Sequence, residues 1–247
     1  MHTMKQVIIE RINLLAQEGD PFLFVVNFQG DDAFIQKLSD IDPRECLYDF
    51  EGTSNVGRQV EPPFPSEVQW EVDAPSYASY EKSFDIVKNN MLMGNSYLAN
   101  LTCKVPVRCN LSLHDIFLHA KGKYKLLLRG HKEENRHFVC FSPETFVKVK
   151  GGRVYSYPMK GTLDASLPQA EEVLMADAKE AAEHATIVDL IRNDLSRVAE
   201  DVRVDKYRYV DVLHTNKGDI LQTSSEISGR LSRNDQAHIG DMLAAQL

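Results

Sequence analysis

A glycine pair, Gly151-Gly152, lies between two runs of β-prone residues and most restricts how this chain can fold. Both central positions of a two-residue hairpin need a positive φ, which glycine adopts without steric cost. The sequence therefore predicts a β-hairpin over residues 141–162. A register centred on the glycine pair places Glu144 opposite Met159.

This register brings a carboxylate and an amine to the same end of the hairpin, because Lys160 directly follows Met159. In a regular ladder, neighbouring positions point to opposite faces. Pro158 makes an irregularity expected there, since proline cannot donate a hydrogen bond to the ladder. Two interpretations remain open for Glu144 and Lys160. They form a salt bridge that closes the hairpin, or they act together in a functional site.

Composition restricts the class of protein. A chain of 247 residues is long enough to bury a large core, and its net charge of −8 argues against a nucleic-acid-binding surface. The cysteines at positions 46, 103, 109 and 140 have neither zinc-ligand nor disulfide-framework spacing. No apolar run approaches the roughly 18 residues that a membrane span needs, so a soluble cytoplasmic protein is expected.

The spacing of apolar residues predicts a mixture of helices and strands. Helices are expected over residues 4–17, 33–38, 77–93, 113–120 and 168–198, the last broken near 176–178, and from residue 234 onward. Strands are expected over residues 22–28, 46–50, 97–107, 124–128, 137–141, 202–204, 208–213 and 220–231. The proline-rich stretch 61–65 indicates an internal boundary. We therefore divide the chain into a short N-terminal α/β region, residues 1–70, and a second domain, residues 71–247.

The long helical region contains two glutamates, Glu180 and Glu183, one helical turn apart on the same face. Carboxylates at this spacing can hold a hard cation such as Mg²⁺, directly or through water. A solvated acidic surface without a ligand is the alternative. Further along the helix, Arg192 is expected to pair with Asp189 or Asp194 in a structural network. The histidines show no metal-ligand spacing and are treated as ordinary.

Five sequence blocks in a fixed order resemble the chorismate-utilising enzymes, most closely component I of aminodeoxychorismate synthase. The blocks are GNSYLANLT (94–102), FSPETF (141–146), PMKGT (158–162), KEAAEHATIVDLIRNDLSRV (179–198) and SSEISGRL (224–231). The resemblance extends over residues 75–247. It implies an α+β fold in which two large antiparallel sheets pack against each other with helices outside. It also identifies residues 71–247 as a chorismate-binding domain.

The resemblance implies roles for the two residues of the hairpin. Lys160 matches the lysine that acts as a nucleophile on the chorismate ring in aminodeoxychorismate synthases, whereas anthranilate synthases usually have alanine there. Glu144 matches the general acid that assists departure of the C4 hydroxyl group. The implied reaction is a transferase-type amination of chorismate by ammonia to 4-amino-4-deoxychorismate, a precursor of para-aminobenzoate and folate.

The same resemblance implies a metal, a substrate contact and a partner. Glu183, and Glu180 through water, would bind the Mg²⁺ that holds the chorismate carboxylate. Gly161 and Thr162 would donate hydrogen bonds to the substrate. The ammonia would come from a glutamine amidotransferase subunit.

Three departures from the family pattern leave alternatives open. Leu98 and Gln222 stand where a glutamine and a histidine are usual. The chain also ends where a glycine-rich block and further metal ligands are expected, which predicts a C-terminally truncated domain. Anthranilate or isochorismate synthesis is the same-class alternative, and Lys160 argues against the former. An inactive fragment or non-catalytic scaffold of the same fold is the other.

Overall fold

A computed structural model describes residues 4–57, 65–96, 99–130, 137–232, 234–235 and 238–246. The chain forms two compact units, a larger one of Met1–Gln59 and His119–Leu247 and a smaller one of Val60–Leu118. The larger unit includes both ends of the chain. The domain boundary predicted after residue 70 stays a prediction. Leu98 and most of the proline-rich stretch lie outside the described residues.

The described elements make a mixed α+β fold with antiparallel sheets, as predicted. Helices α1 to α6 span Gln6–Glu18, Tyr77–Leu92, Leu113–His119, Ala170–Ala176, Ala178–Leu195 and Ile239–Ala244. Strands β1 to β13 span Phe22–Val26, Ala33–Lys37, Cys46–Phe50, Thr53–Ser54, Trp70–Val72, Val107–Cys109, Tyr124–Leu128, Phe138–Ser142, Lys148–Lys150, Arg153–Ser156, Met159–Asp164, Glu200–Thr215 and Gly218–Arg230.

The hairpin β1–β2 separates two hydrophobic cores in the larger unit. Because successive side chains of a strand point to opposite faces, each face of this hairpin meets a different core. Leu23 and Phe34 pack with β3, β7 and β8, which form a sheet of order β4-β3-β7-β8. Val26 and Ile35 pack with α1, α5, α6 and strands β10 and β13.

Strand β13 is the centre of the sheet that carries the predicted site. Strand β12 pairs along one edge of β13, and β10 and β11 pair in succession along the other. The predicted glycine hairpin is confirmed, since Val149 faces Val154 and both glycines have positive φ. However, this ladder is short. Strand β9 begins at Lys148, so Glu144 lies in the preceding loop and Met159 pairs with Ser224 instead.

Two predicted elements are wrong. The helix expected over residues 33–38 is strand β2, because a turn at Asn27 brings it back onto β1. The Asn27 side-chain oxygen accepts hydrogen bonds from the backbone of Asp31 and Asp32, at 3.0 and 3.2 Å.

The strand expected over residues 97–107 is also wrong. Among the described residues of that stretch, only Val107 belongs to a strand, β6, which pairs with β5.

Polar side chains cap the first turns of two helices. Ser76 caps α2 by accepting a hydrogen bond from the backbone of Ser79, and Ser112 and Asp115 form reciprocal bonds at the start of α3. The long helical region breaks at Asp177, as expected near 176–178. The helix predicted from residue 234 is described as α6, over Ile239–Ala244. Over the described ranges, no helix is both long and apolar enough to cross a membrane.

Candidate active site

A β-bulge at Gly161 sets the direction of the predicted nucleophile. Lys160 pairs with Thr223 and Thr162 pairs with Gln222, so Gly161 is the extra residue in β11. Gly161 has a φ of +80°, a left-handed conformation that glycine tolerates best. Bulges re-aim side chains, and this one turns Lys160 toward α5 and position 161 toward α4 and α5.

Helix α5 presents the predicted metal-binding carboxylates to Lys160. The helix begins where the Asp177 side chain accepts a hydrogen bond from the Glu180 backbone N–H, at 3.0 Å. Lys160 Nζ lies 3.3 Å from Glu183 Oε2. Glu180 lies one turn earlier on the same face, and its Oε2 would be 3.2 Å from a Cβ placed on Gly161. The absence of a side chain at Gly161 therefore makes room for the Glu180 carboxylate.

A second amine shares these carboxylates. Lys179 Nζ lies 3.1 Å from Glu183 Oε1 and 3.7 Å from Glu180 Oε1. Hydrogen bonds from Lys179 first, and from Lys160 second, hold the pKa of Glu183 below its ordinary value. Glu183 is thus a carboxylate with two cationic neighbours. The first interpretation of Lys160 was a salt bridge to Glu144 that closes the hairpin, and no such pair is among the described ion pairs. The described ion pair of Lys160 is with Glu183.

Glu144 lies in the loop between β8 and β9, where its backbone N–H donates to Ser142 Oγ at 3.1 Å. It lines a cavity of about 270 Å³ together with Pro158 and the α5 residues Ile187 and Ile191. Although the residue is largely exposed, partial burial of its carboxyl group raises its pKa above the ordinary glutamate value. A carboxyl group with a raised pKa keeps its proton at higher pH, as a general acid requires.

The two faces of the sheet divide the predicted residues. Thr223 and Gln222 are neighbours in β13 and point to opposite faces, and each shares a face with its partner in β11. Lys160 is therefore on the α5 face, whereas the Thr162 side chain lies with Gln222 on the other face. The structure brings together Lys160, Gly161, Glu180 and Glu183, and it opens the Glu144 cavity on the same face. It does not bring the Thr162 hydroxyl group to them.

Sequence reasoning missed a buried group behind Lys160. His184, treated as an ordinary histidine, is fully buried and contacts both Ser225 and Thr223. Burial first, and the charge of Arg208 second, lower the pKa of His184 below its ordinary value. A short polar run in the middle of a buried strand, Thr223 to Ser225, was the available signal, because buried hydroxyl groups need partners.

The two glutamates fit a magnesium ion as part of its coordination shell. Mg²⁺ prefers oxygen ligands in octahedral geometry and is commonly bound by one or two protein carboxylates together with water and substrate. Among the described residues, no three His, Cys, Asp or Glu side chains cluster closely enough to hold a metal ion. Glu180 and Glu183 would therefore leave most coordination positions to water and to a ligand. The amine of Lys160 would remain next to that ligand.

Comparison with known proteins identifies the family of the chain. A family model described as chorismate binding enzyme matches residues 24–246. An uncharacterized PabA-like protein of Pasteurella multocida is 43% identical over 241 residues, covering 97% of this chain and 72% of that protein. An uncharacterized PabA-like protein of Haemophilus influenzae is 41% identical over 242 residues, covering 98% of this chain and 71% of that protein.

The chain is also similar to proteins at lower identity. Anthranilate synthase component 1 of Arthrobacter globiformis is 30% identical over 194 residues, which cover 74% of this chain and 35% of that protein. A solved Bacillus anthracis structure described as a 2,3-dihydroxybenzoate-specific isochorismate synthase matches with a TM-score of 0.59 at 17% identity. The match covers 98% of this chain and 66% of that one, and at this identity it supports the fold alone.

Proposed function

Because this chain belongs to the family of chorismate binding enzymes, we propose that it is an aminodeoxychorismate synthase component I. It would convert chorismate and ammonia to 4-amino-4-deoxychorismate and water, in the route to para-aminobenzoate and folate. The observation that carries the proposal is the Lys160 amine, which the Gly161 bulge directs to the carboxylate pair of α5.

The proposed chemistry assigns a step to each residue of the α5 face. The Lys160 amine, after losing a proton, forms a bond to the chorismate ring as the C4–O bond breaks. Glu144 gives its proton to the departing hydroxyl group, which leaves as water. Ammonia then forms the C4–N bond as the bond to Lys160 breaks, and one proton of the new ammonium group passes to the Glu144 carboxylate, which regenerates both the amine and the acid. The raised pKa of Glu144 supports its role as the acid.

The remaining residues would hold the substrate. Glu183, and Glu180 through water, would bind Mg²⁺, which neutralises the carboxylate of chorismate when it is bound. The backbone around Gly161 would donate hydrogen bonds to the substrate. Thr162 could contribute its backbone N–H, since its side chain lies on the opposite face from Lys160.

We infer that a glutamine amidotransferase supplies the ammonia. The name component 1, which the anthranilate synthase relatives carry, supports a partner subunit. Free ammonium at high concentration would replace this partner in an assay.

Turnover of chorismate with ammonium and Mg²⁺ tests the proposal. We expect Lys160→Ala to abolish formation of 4-amino-4-deoxychorismate, because the nucleophile is lost. Lys150→Ala, at the exposed end of β9 before the glycine turn, is the matched control and should leave turnover unchanged. Full activity of Lys160→Ala would refute the role of the lysine.

Anthranilate synthesis is the second candidate, favoured by the anthranilate synthase relatives. The products separate the two reactions, because anthranilate formation releases pyruvate and 4-amino-4-deoxychorismate retains the enolpyruvyl group. Pyruvate released in step with chorismate consumption would favour anthranilate synthesis. Binding of chorismate without any turnover would favour a non-catalytic scaffold.

A further inference from the structure

A buried chain of hydrogen bonds runs from α4 to the backbone of Lys160. The Arg208 backbone N–H contacts Ser225 Oγ at 2.8 Å, and Ser225 Oγ contacts His184 Nε2 at 2.7 Å. His184 Nδ1 faces Thr223 Oγ1 at 3.5 Å, the longest of these contacts. The Thr223 hydroxyl group in turn contacts the carbonyl oxygen of Lys160. His184, Thr223 and Ser225 are fully buried.

Only one arrangement of protons satisfies every member of this chain. The Lys160 carbonyl can only accept, so the Thr223 hydroxyl group donates to it and must accept from His184 Nδ1–H. His184 Nε2 then carries a lone pair and accepts from the Ser225 hydroxyl group. Ser225 Oγ, in turn, accepts from the Arg208 N–H, which can only donate. A protonated imidazole would donate to Ser225 as well, and would leave the Ser225 proton without an acceptor among the described hydrogen bonds.

The far end of the chain is anchored to α4. Arg208 donates from its guanidinium group to the carbonyl oxygens of Leu174 and Met175, at 3.1 and 2.9 Å, and so caps the C-terminus of that helix. Its φ of +46° is unusual for a residue other than glycine and coincides with a register shift in β12. These contacts hold the Arg208 N–H in the direction of Ser225.

The near end of the chain acts at the bulge. The Lys160 carbonyl belongs to the peptide unit that joins Lys160 to Gly161, where the ladder between β11 and β13 shifts register. Rotation of this peptide changes ψ of Lys160 and φ of Gly161 together, and these two angles define the bulge from which the Lys160 side chain projects. A donor at the carbonyl therefore restricts where the amine points.

We propose that His184, which donates from Nδ1–H to the Thr223 hydroxyl group, is a positioning residue that orients Lys160 through Thr223. This inference rests on the proposed amination, in which Lys160 is the nucleophile. His184 does not contact the substrate in this scheme. It keeps the Thr223 hydroxyl group aimed at the Lys160 carbonyl.

Thr223→Val tests the link, because valine has nearly the shape of threonine and lacks the hydroxyl group. We expect kcat for amination to fall about 100-fold, the effect of misplacing a reacting group by about 1 Å, with KM for chorismate changed less than about twofold. Thr223→Ser should restore most of kcat. Thr186→Val, on the exposed side of α5, makes the same chemical change outside the chain and should leave kcat unchanged.

A spectroscopic measurement tests the tautomer without relying on activity. Long-range ¹H–¹⁵N spectra of histidine-labelled protein show which ring nitrogen carries the proton, and the resonance that disappears in His184→Gln identifies the ring. We expect an Nδ1–H imidazole at neutral pH, and a carbonyl ¹³C shift of Lys160 that changes in Thr223→Val but not in Thr186→Val. A proton on Nε2, or an unchanged carbonyl shift, would overturn the inference.

These results separate failure of the inference from failure of the proposed function. If the wild-type protein makes no aminated product, the proposed function fails and the spectra alone decide the hydrogen-bond chain. If the wild type aminates chorismate and folded Thr223→Val keeps its kcat, the inference fails and the function stands. If Thr223→Val does not fold, His184→Asn and His184→Gln replace it. Asparagine keeps a donor near the position of Nδ1 and should retain more turnover than glutamine, and equal turnover would refute the role of Nδ1–H.

Discussion

Gly161→Ala tests whether the empty space at the bulge makes room for Glu180, the carboxylate proposed to hold Mg²⁺ through water. A Cβ at this position would lie 3.2 Å from Glu180 Oε2, and 3.4 Å from both Leu174 Cδ1 and Thr223 Oγ1. The Glu180 carboxylate is the end of a flexible side chain and can move by a few tenths of an ångström. The substitution should therefore move the Glu180 carboxylate away from Gly161 and leave the packing of the hydrophobic core largely unchanged.

The cost in stability comes mainly from the backbone. A residue other than glycine loses about 1 kcal/mol or somewhat more in the left-handed region, which for a protein of this size lowers Tm by about 2–4 °C. Gly19→Ala is a matched control, because Gly19 has a φ of +76° and no atom lies within 4 Å of its Cβ position. In thermal unfolding, the two variants should lose free energy of unfolding by amounts that agree within about 1 kcal/mol.

The affinity for Mg²⁺ should differ between Gly161→Ala and Gly19→Ala. If Glu180 holds Mg²⁺ through water, its displacement should weaken Mg²⁺ binding about tenfold, the lower end of the effect of losing an outer-shell partner. Calorimetric titration with Mg²⁺ in the presence of chorismate measures this, and Gly19→Ala should bind as the wild type does. Equal Mg²⁺ affinity in the wild type and in a folded Gly161→Ala would refute the idea that the missing side chain makes room for Glu180.

Two further substitutions address stability and the acid. Burial raises the pKa of Glu144, so between the two pKa values the folded state keeps the carboxyl proton that the unfolded chain has lost. The stability from this group is therefore lost as the pH rises through the folded pKa. The Tm of Glu144→Gln should therefore match that of the wild type at pH 4 and slightly exceed it at pH 8, and a Tm below that of the wild type at pH 8 would contradict this. The same variant should lose most of its turnover. Asp177→Ala removes the cap of α5 and should cost about 1 kcal/mol of stability, measured by urea unfolding. An unchanged midpoint would show that the cap contributes little.

Much of the fold could be predicted because local chemistry decides it. The glycine pair at 151–152 forces a tight turn, Asp177 ends one helix and starts the next, and Ser76 caps α2. Each of these signals acts within a few residues and needs no distant partner. The carboxylates of α5 share a face for the same reason, since the helical repeat alone brings Glu180 and Glu183 together.

The errors arose where distant pairing decides. Residues 33–38 are too few for periodicity to separate a helix from a strand, and their pairing with β1 makes them a strand. Residues 97–107 alternate as a strand would, yet a strand also needs a neighbour to satisfy its backbone. Val107 finds one in Val72 of β5. None of the described residues 99–106 belongs to a strand, although Pro106 accepts one backbone hydrogen bond from Asp73.

The sequence by itself determined which chemical groups this protein has, and the order of its blocks determined its family. Only the tertiary structure decided what Lys160 faces. Its partner is Glu183 of α5, while the Thr162 side chain lies across the sheet. The reason is physical: one extra residue at Gly161 reverses the alternation of the strand, and that bulge exists only in register with β13, some sixty residues later in the chain.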